Sequence, residues 1–349
     1  MIDLQILDVF PYLHTAASVP QKCKTFRNLE VGGLHFILRK IISELRSRNY
    51  IVCCFDSPSN HSNKLEGYKS NRQRDPRVIV QAELLWDILQ EAGVACYKGF
   101  GEADDHVYGC VNAFKDDPAV QSIFINSSDY DLCHNLIRSN IQFLTVNSLA
   151  CNVNWQTFSH ILKDKTYKTP IMYNTISAYK TLRFDHSDNI KCFKGSSESG
   201  INLYKAFTQF LEDNGVRNPE ITSNKDLFLS VMHDQGLSDH DFATIKRRAD
   251  AIFPKDLSAK VGGYKYSTYD TVNFQVLANY CQAIGDRVDL RTLASMKITP
   301  YSEDMLKDIC DKVHVLGNNF KNGVYQADKS IPLESLNTFS SRINVVKGF

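Results

Sequence analysis

The first 165 residues alternate between short apolar runs typical of β-strands and longer amphipathic stretches typical of α-helices. Residues 2–7 (IDLQIL) form one apolar run, residues 31–48 carry apolar side chains at helical spacing, and residues 50–55 (YIVCCF) form a second run. A helix between two strands carries the chain back across the sheet, so the two strands run parallel. The alternation therefore predicts an α/β domain with a mostly parallel sheet flanked by helices.

The later segments continue this pattern and then lose it. Further predicted helices of the first region are 76–92, 102–115, 154–163 and 170–183, and further predicted strands are 94–98, 122–125 and 141–146. From about residue 184 the strand patterns fade, and helices are predicted at 200–213, 225–235, 239–252 and 271–284. We therefore predict one domain over 1–183, a helical region over 184–285, and a weakly patterned segment over 286–349 with no assigned role.

Composition excludes several classes of protein. Apolar residues make up 43% of the 349 residues and charged residues 23%, which is ordinary for a folded soluble protein and argues against disorder. No apolar run reaches the roughly 18 residues that a membrane helix needs. The ten cysteines form neither a CxxC pair nor a Cys/His group with zinc spacing. We therefore expect mostly buried, free thiols in a reducing cytoplasm.

Acidic side chains collect where the predicted strands end. Asp8 and Asp56 follow the first two strands, and GEADD (101–105) and SDYD (128–131) follow two later ones. Parallel strands bring their carboxyl ends to one edge of a sheet, where α/β proteins bind ligands. Each acidic group alone is typical of a turn or a helix cap, but their shared position predicts a cluster of carboxylates.

A cluster of carboxylates needs cations, because like charges at close range repel and otherwise take up protons. Oxygen ligands without supporting His or Cys select Mg²⁺, with Mn²⁺ as a substitute, over zinc. Two such ions about 3.5–4 Å apart suit the hydrolysis of a phosphodiester bond, since one activates water and the other stabilises the leaving oxygen.

Two basic stretches suit the phosphate backbone of a nucleic acid. Residues 57–77 carry five basic and two acidic side chains, a net charge of +3, and are predicted to form a polar loop or helical arm. Residues 244–265 contain a second basic stretch that begins with Lys246, Arg247 and Arg248. For this second stretch, a solvated helix face is the alternative to a contact with duplex DNA.

Together these motifs resemble the flap endonuclease or 5′-nuclease family, especially its bacteriophage 5′→3′ exonuclease and ribonuclease H-type members. The matching blocks, in order, are the early strand ending at Asp8, FDSPSNHSNKLEGYKSNR (55–72), GEADD (101–105), INSSDYDL (125–132) and SDNI (187–190) preceded by Asp185. The resemblance implies a PIN-like α/β catalytic domain with a basic arch at about 57–77. It also implies a helix–hairpin–helix-type region that grips duplex DNA.

The resemblance implies roles for individual residues as well. Around a first Mg²⁺ ion it places Asp8, Asp56, Glu102, Asp104 and Asp105, and around a second ion Asp129, Asp131, Asp185 and Asp188. Asp104 and Asp131 are the carboxylates whose loss we expect to abolish catalysis. The residues implied to contact nucleic acid are Lys69 and Arg72 at the scissile phosphate, Tyr68, Lys64 and Arg74 in the arch, and Lys246, Arg247 and Arg248 along the duplex.

The implied reaction is hydrolysis of DNA at a 5′ end, flap, nick or branch, in replication or recombination in a bacterial host cytoplasm. RNA–DNA hybrids and a single-strand-binding protein are further partners by analogy, and no membrane is expected. An inactive branched-DNA-binding protein and a PIN-type ribonuclease acting on single-stranded RNA are the alternatives. Three departures from the family pattern favour the inactive DNA-binding protein. These are Val9 and Phe184 in place of Gly, and a 192–207 stretch with only Gly195 and Gly200.

Overall fold

The fold is that of a computed structural model, which describes residues 2–18, 25–26, 29–30, 32–57, 75–146, 152–153, 169–183, 193 and 197–286. These residues divide into two compact units. Within the described ranges, the first unit comprises 2–55, 75–97 and 265–286, and the second comprises 56–57 and 98–264. Both units contain strands and helices, as an α/β protein requires.

The described residues form eight strands and eleven α-helices. The strands are β1 (Ile2–Asp8), β2 (Thr25–Phe26), β3 (Leu29–Glu30), β4 (Tyr50–Cys54), β5 (Cys96–Tyr97), β6 (Val120–Ser127), β7 (Ile141–Thr145) and β8 (Asn152–Val153). The helices are α1 (Val9–Ser18), α2 (Gly32–Arg46), α3 (Pro76–Ala92), α4 (Ala103–Phe114), α5 (Ile176–Leu182), α6 (Ser197–Asp213), α7 (Pro219–Thr222), α8 (Lys225–His233), α9 (Asp239–Ile252), α10 (Ser258–Val261) and α11 (Phe274–Asp286). Short 3-10 helices lie at Tyr130–Asn135 and Tyr173–Thr175.

The first unit is built on three strands in the order β5–β4–β1. Both β1 and β5 pair with β4 in parallel. Asp8 stands opposite Cys54, so β1 and β4 end at the same edge. The predicted strand–helix–strand arrangement of residues 2–55 is confirmed.

The spacing of apolar residues explains why α2 packs as it does. Leu34, Ile37, Leu38, Ile41 and Leu45 recur every three or four positions, lie on one face, and are fully buried. Burial of each such side chain stabilises the fold by roughly 1.5–3 kcal/mol. This face gives the first unit much of its core.

Helix α1 has no clear signal in the sequence, because Pro11 is typical of a helix break. Pro11 is the third residue of the helix. The first backbone N–H groups of a helix have no acceptor within it, so a proline there removes no hydrogen bond. The helix packs closely on α2, where a Cβ at Gly33 would lie 2.7 Å from Leu13 Cα.

The second unit combines strands with a helical core. β6 pairs with β7 in parallel, and β7 pairs with β8 antiparallel. The helices α5, α6, α8 and α9 contribute to one apolar core, whose fully buried members include Leu182, Tyr204, Phe207, Phe228 and Ile245. This core contains residues from both sides of position 184. The division into a catalytic domain before that position and a DNA-binding region after it stays a prediction.

One predicted helix begins later in the structure than the sequence suggests, and another lies outside the described residues. The helix predicted at 170–183 begins only at Ile176, after a 3-10 turn. The helix predicted at 154–163 lies outside the described residues, as does the segment 286–349 except for Asp286.

The expectations for thiols and membrane helices can be compared with the described residues. The six cysteines described, including Cys53, Cys54 and Cys133, are free thiols. Within the same ranges, no helix combines the length and the apolar character needed to cross a membrane.

We expect Gly200→Ala to destabilise the second unit. A Cβ at this position of α6 would collide with the backbone oxygen of Leu182, at the end of α5. Overpacking against backbone should lower the free energy of unfolding by about 1–3 kcal/mol, as measured by urea denaturation. Glu198→Ala, at an exposed position in the first turn of the same helix, is the control. Equal stability of the two variants would contradict the close approach of α5 and α6.

Candidate metal centre

Four carboxylates of the second unit belong to the beginning of α4 or contact it. Glu102 is the N-cap residue, and Asp104 and Asp105 lie in the first turn. Asp56 Oδ1 accepts a hydrogen bond of 2.9 Å from the backbone N–H of Ala103. The free N–H groups of a first helical turn favour negative charge. The local sequence thus places the GEADD carboxylates at the N-terminus of α4, and a backbone N–H of that N-terminus binds Asp56.

Asp105 is held more tightly than its neighbours. Its Oδ2 accepts from Glu102 N at 3.2 Å, and its Oδ1 accepts from Lys255 N at 2.8 Å. The side chain is buried. Gly101 leaves room for it, because a Cβ there would lie 2.5 Å from Asp105 Oδ2. Since each carboxylate oxygen has two lone pairs, Asp105 keeps capacity for a further ligand.

A second acidic group follows β6. Asp129 is the N-cap of the 3-10 helix Tyr130–Asn135, and its Oδ1 accepts from Asp131 N at 2.9 Å. Asp131 forms an ion pair through Oδ2 with Lys180 Nζ of α5. The ammonium group supplies positive charge at one of the carboxylates predicted to bind metal, which lowers the repulsion within the acidic group.

Lys180 is not among the residues that the sequence motifs predict for the site. A signal for it exists, because Lys180 is the single charged residue of α5. Its side chain is 17% exposed and that of Asp131 is 28% exposed, so the ion pair is partly open to water.

The histidine and cysteine beside these carboxylates carry no charge at neutral pH. Burial lowers the pKa of His134 from its usual 6.5 to about 4, although the Asp131 carbonyl and nearby Asp129 oppose that shift. Burial also raises the pKa of the Cys133 thiol well above its usual value. A neutral thiol is a poor metal ligand. The predicted ligands of this region are carboxylates, and carboxylate oxygens suit divalent cations.

The predicted metal ligands are only partly brought together. Asp56 contacts the start of α4, and Asp129 contacts Asp131. Asp8 is buried at the end of β1 in the first unit, while Asp185 and Asp188 lie outside the described residues. Over the ranges that are described, no three His, Cys, Asp or Glu side chains converge closely enough to hold a metal ion. The two-metal site stays a prediction.

The predicted nucleic-acid contacts fall into three sets. The arch residues Lys64, Tyr68, Lys69, Arg72 and Arg74 lie outside the described residues. Lys246 and Arg247 are exposed on α9, as a phosphate contact requires. Arg248 forms the third set, because its side chain is buried and cannot contact DNA phosphates as predicted.

Arg248 is buried, with 6% of its surface exposed. Its Nε donates to Thr181 O at 2.5 Å, and a terminal nitrogen donates to Arg183 O at 2.8 Å. These carbonyls lie at the end of α5, where a helix leaves acceptors without internal partners. Arg248 shares the inward face of α9 with Ile245 and Ala249, three and one positions away. It therefore caps α5 and is not carried into the DNA-binding surface.

Comparison with known proteins supports the resemblance seen in the motifs. No protein-family profile matches the chain. The DNA polymerase I of Caldicellulosiruptor bescii is 25% identical over 256 residues, which are 71% of this chain and 29% of that protein. The chain thus spans less than a third of the length of this curated relative.

Two solved structures are similar over most of the chain. The T5 D15 protein co-crystallised with metal ions has a TM-score of 0.50 and 15% identity, covering 81% of this chain and 98% of that one. T5 5′-exonuclease with divalent metal ions (zinc) bound has a TM-score of 0.45 and 14% identity, covering 80% and 91%. The likeness to D15 confirms the predicted fold, a mostly parallel sheet flanked by helices. In fold, the chain resembles the T5 D15 protein, and its motifs resemble those of the 5′ nucleases.

Proposed function

We propose that the chain is a metal-dependent 5′ nuclease that hydrolyses phosphodiester bonds of DNA at a 5′ end, flap, nick or branch. One observation supports this function above the others, which is the placement of two acidic groups in the second unit. Asp56, Glu102, Asp104 and Asp105 share the start of α4. Asp129 and Asp131 follow β6 and are joined by a hydrogen bond.

Two divalent ions, Mg²⁺ or Mn²⁺, complete the proposed site. When bound, such ions supply an activated water and stabilise the leaving oxygen. We propose that the residues holding them are Asp8, Asp56, Glu102, Asp104 and Asp105 for one ion and Asp129, Asp131, Asp185 and Asp188 for the other. The chain's own backbone fixes several of these groups in advance, through the hydrogen bonds from Ala103 N to Asp56 and from Lys255 N to Asp105. Lys180 offsets the charge of Asp131.

DNA is the proposed partner, with the arch and α9 as the surfaces that meet its phosphates. We propose that Lys69 and Arg72 contact the scissile phosphate, with Lys64, Tyr68 and Arg74 beside them. Exposed Lys246 and Arg247 would bind the duplex backbone further away. RNA–DNA hybrids, replication proteins and a cytoplasmic place of action belong to the same proposal.

Replacing Lys246 or Arg247 by Ala should weaken DNA binding without regard to sequence. Each change removes one phosphate contact, so the slope of log affinity against log salt concentration should decrease by about 1. Fluorescence anisotropy of a labelled flap duplex in EDTA measures this slope. Lys225→Ala is the control, since Lys225 is paired with Asp250 on the surface. An unchanged slope in both α9 variants would exclude α9 from the interface.

The reaction itself is tested with a flap duplex labelled at the 5′ end of the flap in one sample and at the 3′ end of the same strand in another. A 5′ nuclease yields short 5′-labelled products or a cut at the junction. In the 3′-labelled sample, the 5′ end of the remaining strand then lies at the same cut. The same shapes made of RNA separate a DNA nuclease from a PIN-type ribonuclease. Binding without cleavage would support the inactive branched-DNA binder instead.

A further inference from the structure

Phe100 is an exposed aromatic residue next to the acidic start of α4. Its ring is 55% exposed, and it is one of two large apolar side chains that the described residues leave exposed, the other being Ile221 at 48%. It precedes Glu102 by two positions. A single exposed apolar side chain is common on protein surfaces, so the backbone at Phe100 is the more informative feature.

The backbone at Phe100 adopts a conformation that residues with a Cβ avoid. Its φ is 61°, and among the described non-glycine residues only Arg48 shares a positive φ. Gly101 N donates to Gly99 O at 2.8 Å, which closes a three-residue turn around Phe100. Turns of this kind with a positive central φ are rare and strained. Glycine would fit this position better than phenylalanine.

A buried histidine, itself in contact with a buried tyrosine, contacts the carbonyl group that closes the strained turn. His106 is fully buried beside the turn. His106 Nε2 lies 2.8 Å from Gly99 O and Nδ1 lies 3.2 Å from the Tyr264 hydroxyl. A neutral ring satisfies both contacts if Nε2 donates to the carbonyl and Tyr264 donates to Nδ1. The turn is therefore determined by its surroundings, and strain that a fold maintains in this way is often linked to function.

We propose that Phe100 is a nucleobase-stacking residue, whose ring covers one face of an unpaired base of the nucleic-acid substrate. This role rests on the proposed nuclease function, because the base in question belongs to the strand whose phosphate meets the carboxylates at the start of α4. Phe100 is uncharged and flat, so it matches a base rather than a phosphate. Stacking on an aromatic ring is sequence-tolerant, since every base has a π face.

The test combines Phe100 variants with abasic substrates. In Mg²⁺, kcat/KM is measured for a flap duplex and for a series with one abasic residue at each position near the cut. For the wild type, one abasic position should lower kcat/KM by roughly 5- to 150-fold. Phe100→Ala should lower the value for the intact substrate by a similar factor and make that position insensitive. Phe100→Trp should retain the sensitivity.

Two further measurements separate stacking from a structural role. In a series of flap duplexes with 2-aminopurine at each position near the junction in turn, one position should lose fluorescence on binding to the wild type in EDTA, but keep it with Phe100→Ala. Phe100→Gly should raise the melting temperature, because glycine relieves the strained φ, while it abolishes the quenching. Ile221→Ala, the other exposed apolar position in the same unit, should leave both the kinetics and the quenching unchanged.

The outcomes distinguish this inference from the proposed function. If the wild type cleaves DNA but Phe100→Ala shows the same abasic profile and the same quenching, Phe100 does not stack on a base and the nuclease stands. If the wild type cleaves nothing, the nuclease proposal fails, and the quenching series alone decides for or against stacking. Equal quenching by the wild type and Phe100→Ala overturns the inference in either case.

Discussion

An Asp131→Asn variant should bind a flap duplex yet cleave it at least about 100-fold more slowly than the wild type in Mg²⁺, a loss of roughly 3 kcal/mol of transition-state stabilisation. The amide keeps the size of the carboxylate but removes the charge that a divalent ion requires. Asp131 is 28% exposed, so a ligand can reach it beside Lys180. Single-turnover rates on a gel measure the loss.

Two controls make this result specific. Asp234→Asn changes an exposed carboxylate at the end of α8 and should cleave at the wild-type rate. The melting temperature of Asp131→Asn should fall, because Lys180 loses the charge of its partner, while an unchanged circular dichroism spectrum and retained flap binding show that the fold is kept. Asp104→Asn should behave like Asp131→Asn. Full activity in both site variants would contradict catalysis by these acidic groups.

Arg248→Met should lower the free energy of unfolding by about 3 kcal/mol, because it removes two hydrogen bonds from a charged donor to buried carbonyls. Methionine fills much of the same volume but leaves the oxygens of Thr181 and Arg183 without that donor. Urea denaturation, followed by circular dichroism, measures the difference.

The neighbouring residue provides a matched control for this prediction. Arg247 is exposed on the same helix, and Arg247→Met should change stability by no more than about 0.5 kcal/mol. In DNA binding, the variant that is affected should be Arg247→Met rather than Arg248→Met. Arg247→Met should reduce the salt dependence, while folded Arg248→Met should keep it. If Arg248→Met were as stable as Arg247→Met, the cap on α5 would have no energetic importance.

Strong periodicity made the central elements predictable. The apolar spacing of α2 and the β-type runs of β1 and β4 were sufficient to predict that the two strands run parallel. The same patterns allowed the acidic motifs to be placed after strands. Pro11 obscured α1, because the position of a proline within a helix decides its effect and the sequence does not give the helix start. Boundaries were less predictable for the same reason, as the late start of α5 shows.

The site was only partly predictable, because side-chain direction depends on packing. Arg248 belongs to a run of three basic residues. It nevertheless falls on the apolar face of α9, three positions after Ile245. That spacing was a usable signal for burial. Lys180 carried a weaker signal, as the single charged residue of α5, and Phe100 carried none. The pairing of Lys180 with Asp131 depends on tertiary contact, and a positive φ at phenylalanine follows from the buried His106 below the turn rather than from local preference.

Cleavage of a 5′-labelled flap duplex by the purified chain, with Mg²⁺ in one sample and EDTA in its match, tests the central claim most directly. We expect cuts at the junction or short products from the 5′ end in Mg²⁺, equal or lower activity in Mn²⁺, and none in EDTA. Intact DNA with either metal, together with a clear gel shift, would contradict the nuclease and leave a protein that binds branched DNA without cutting it.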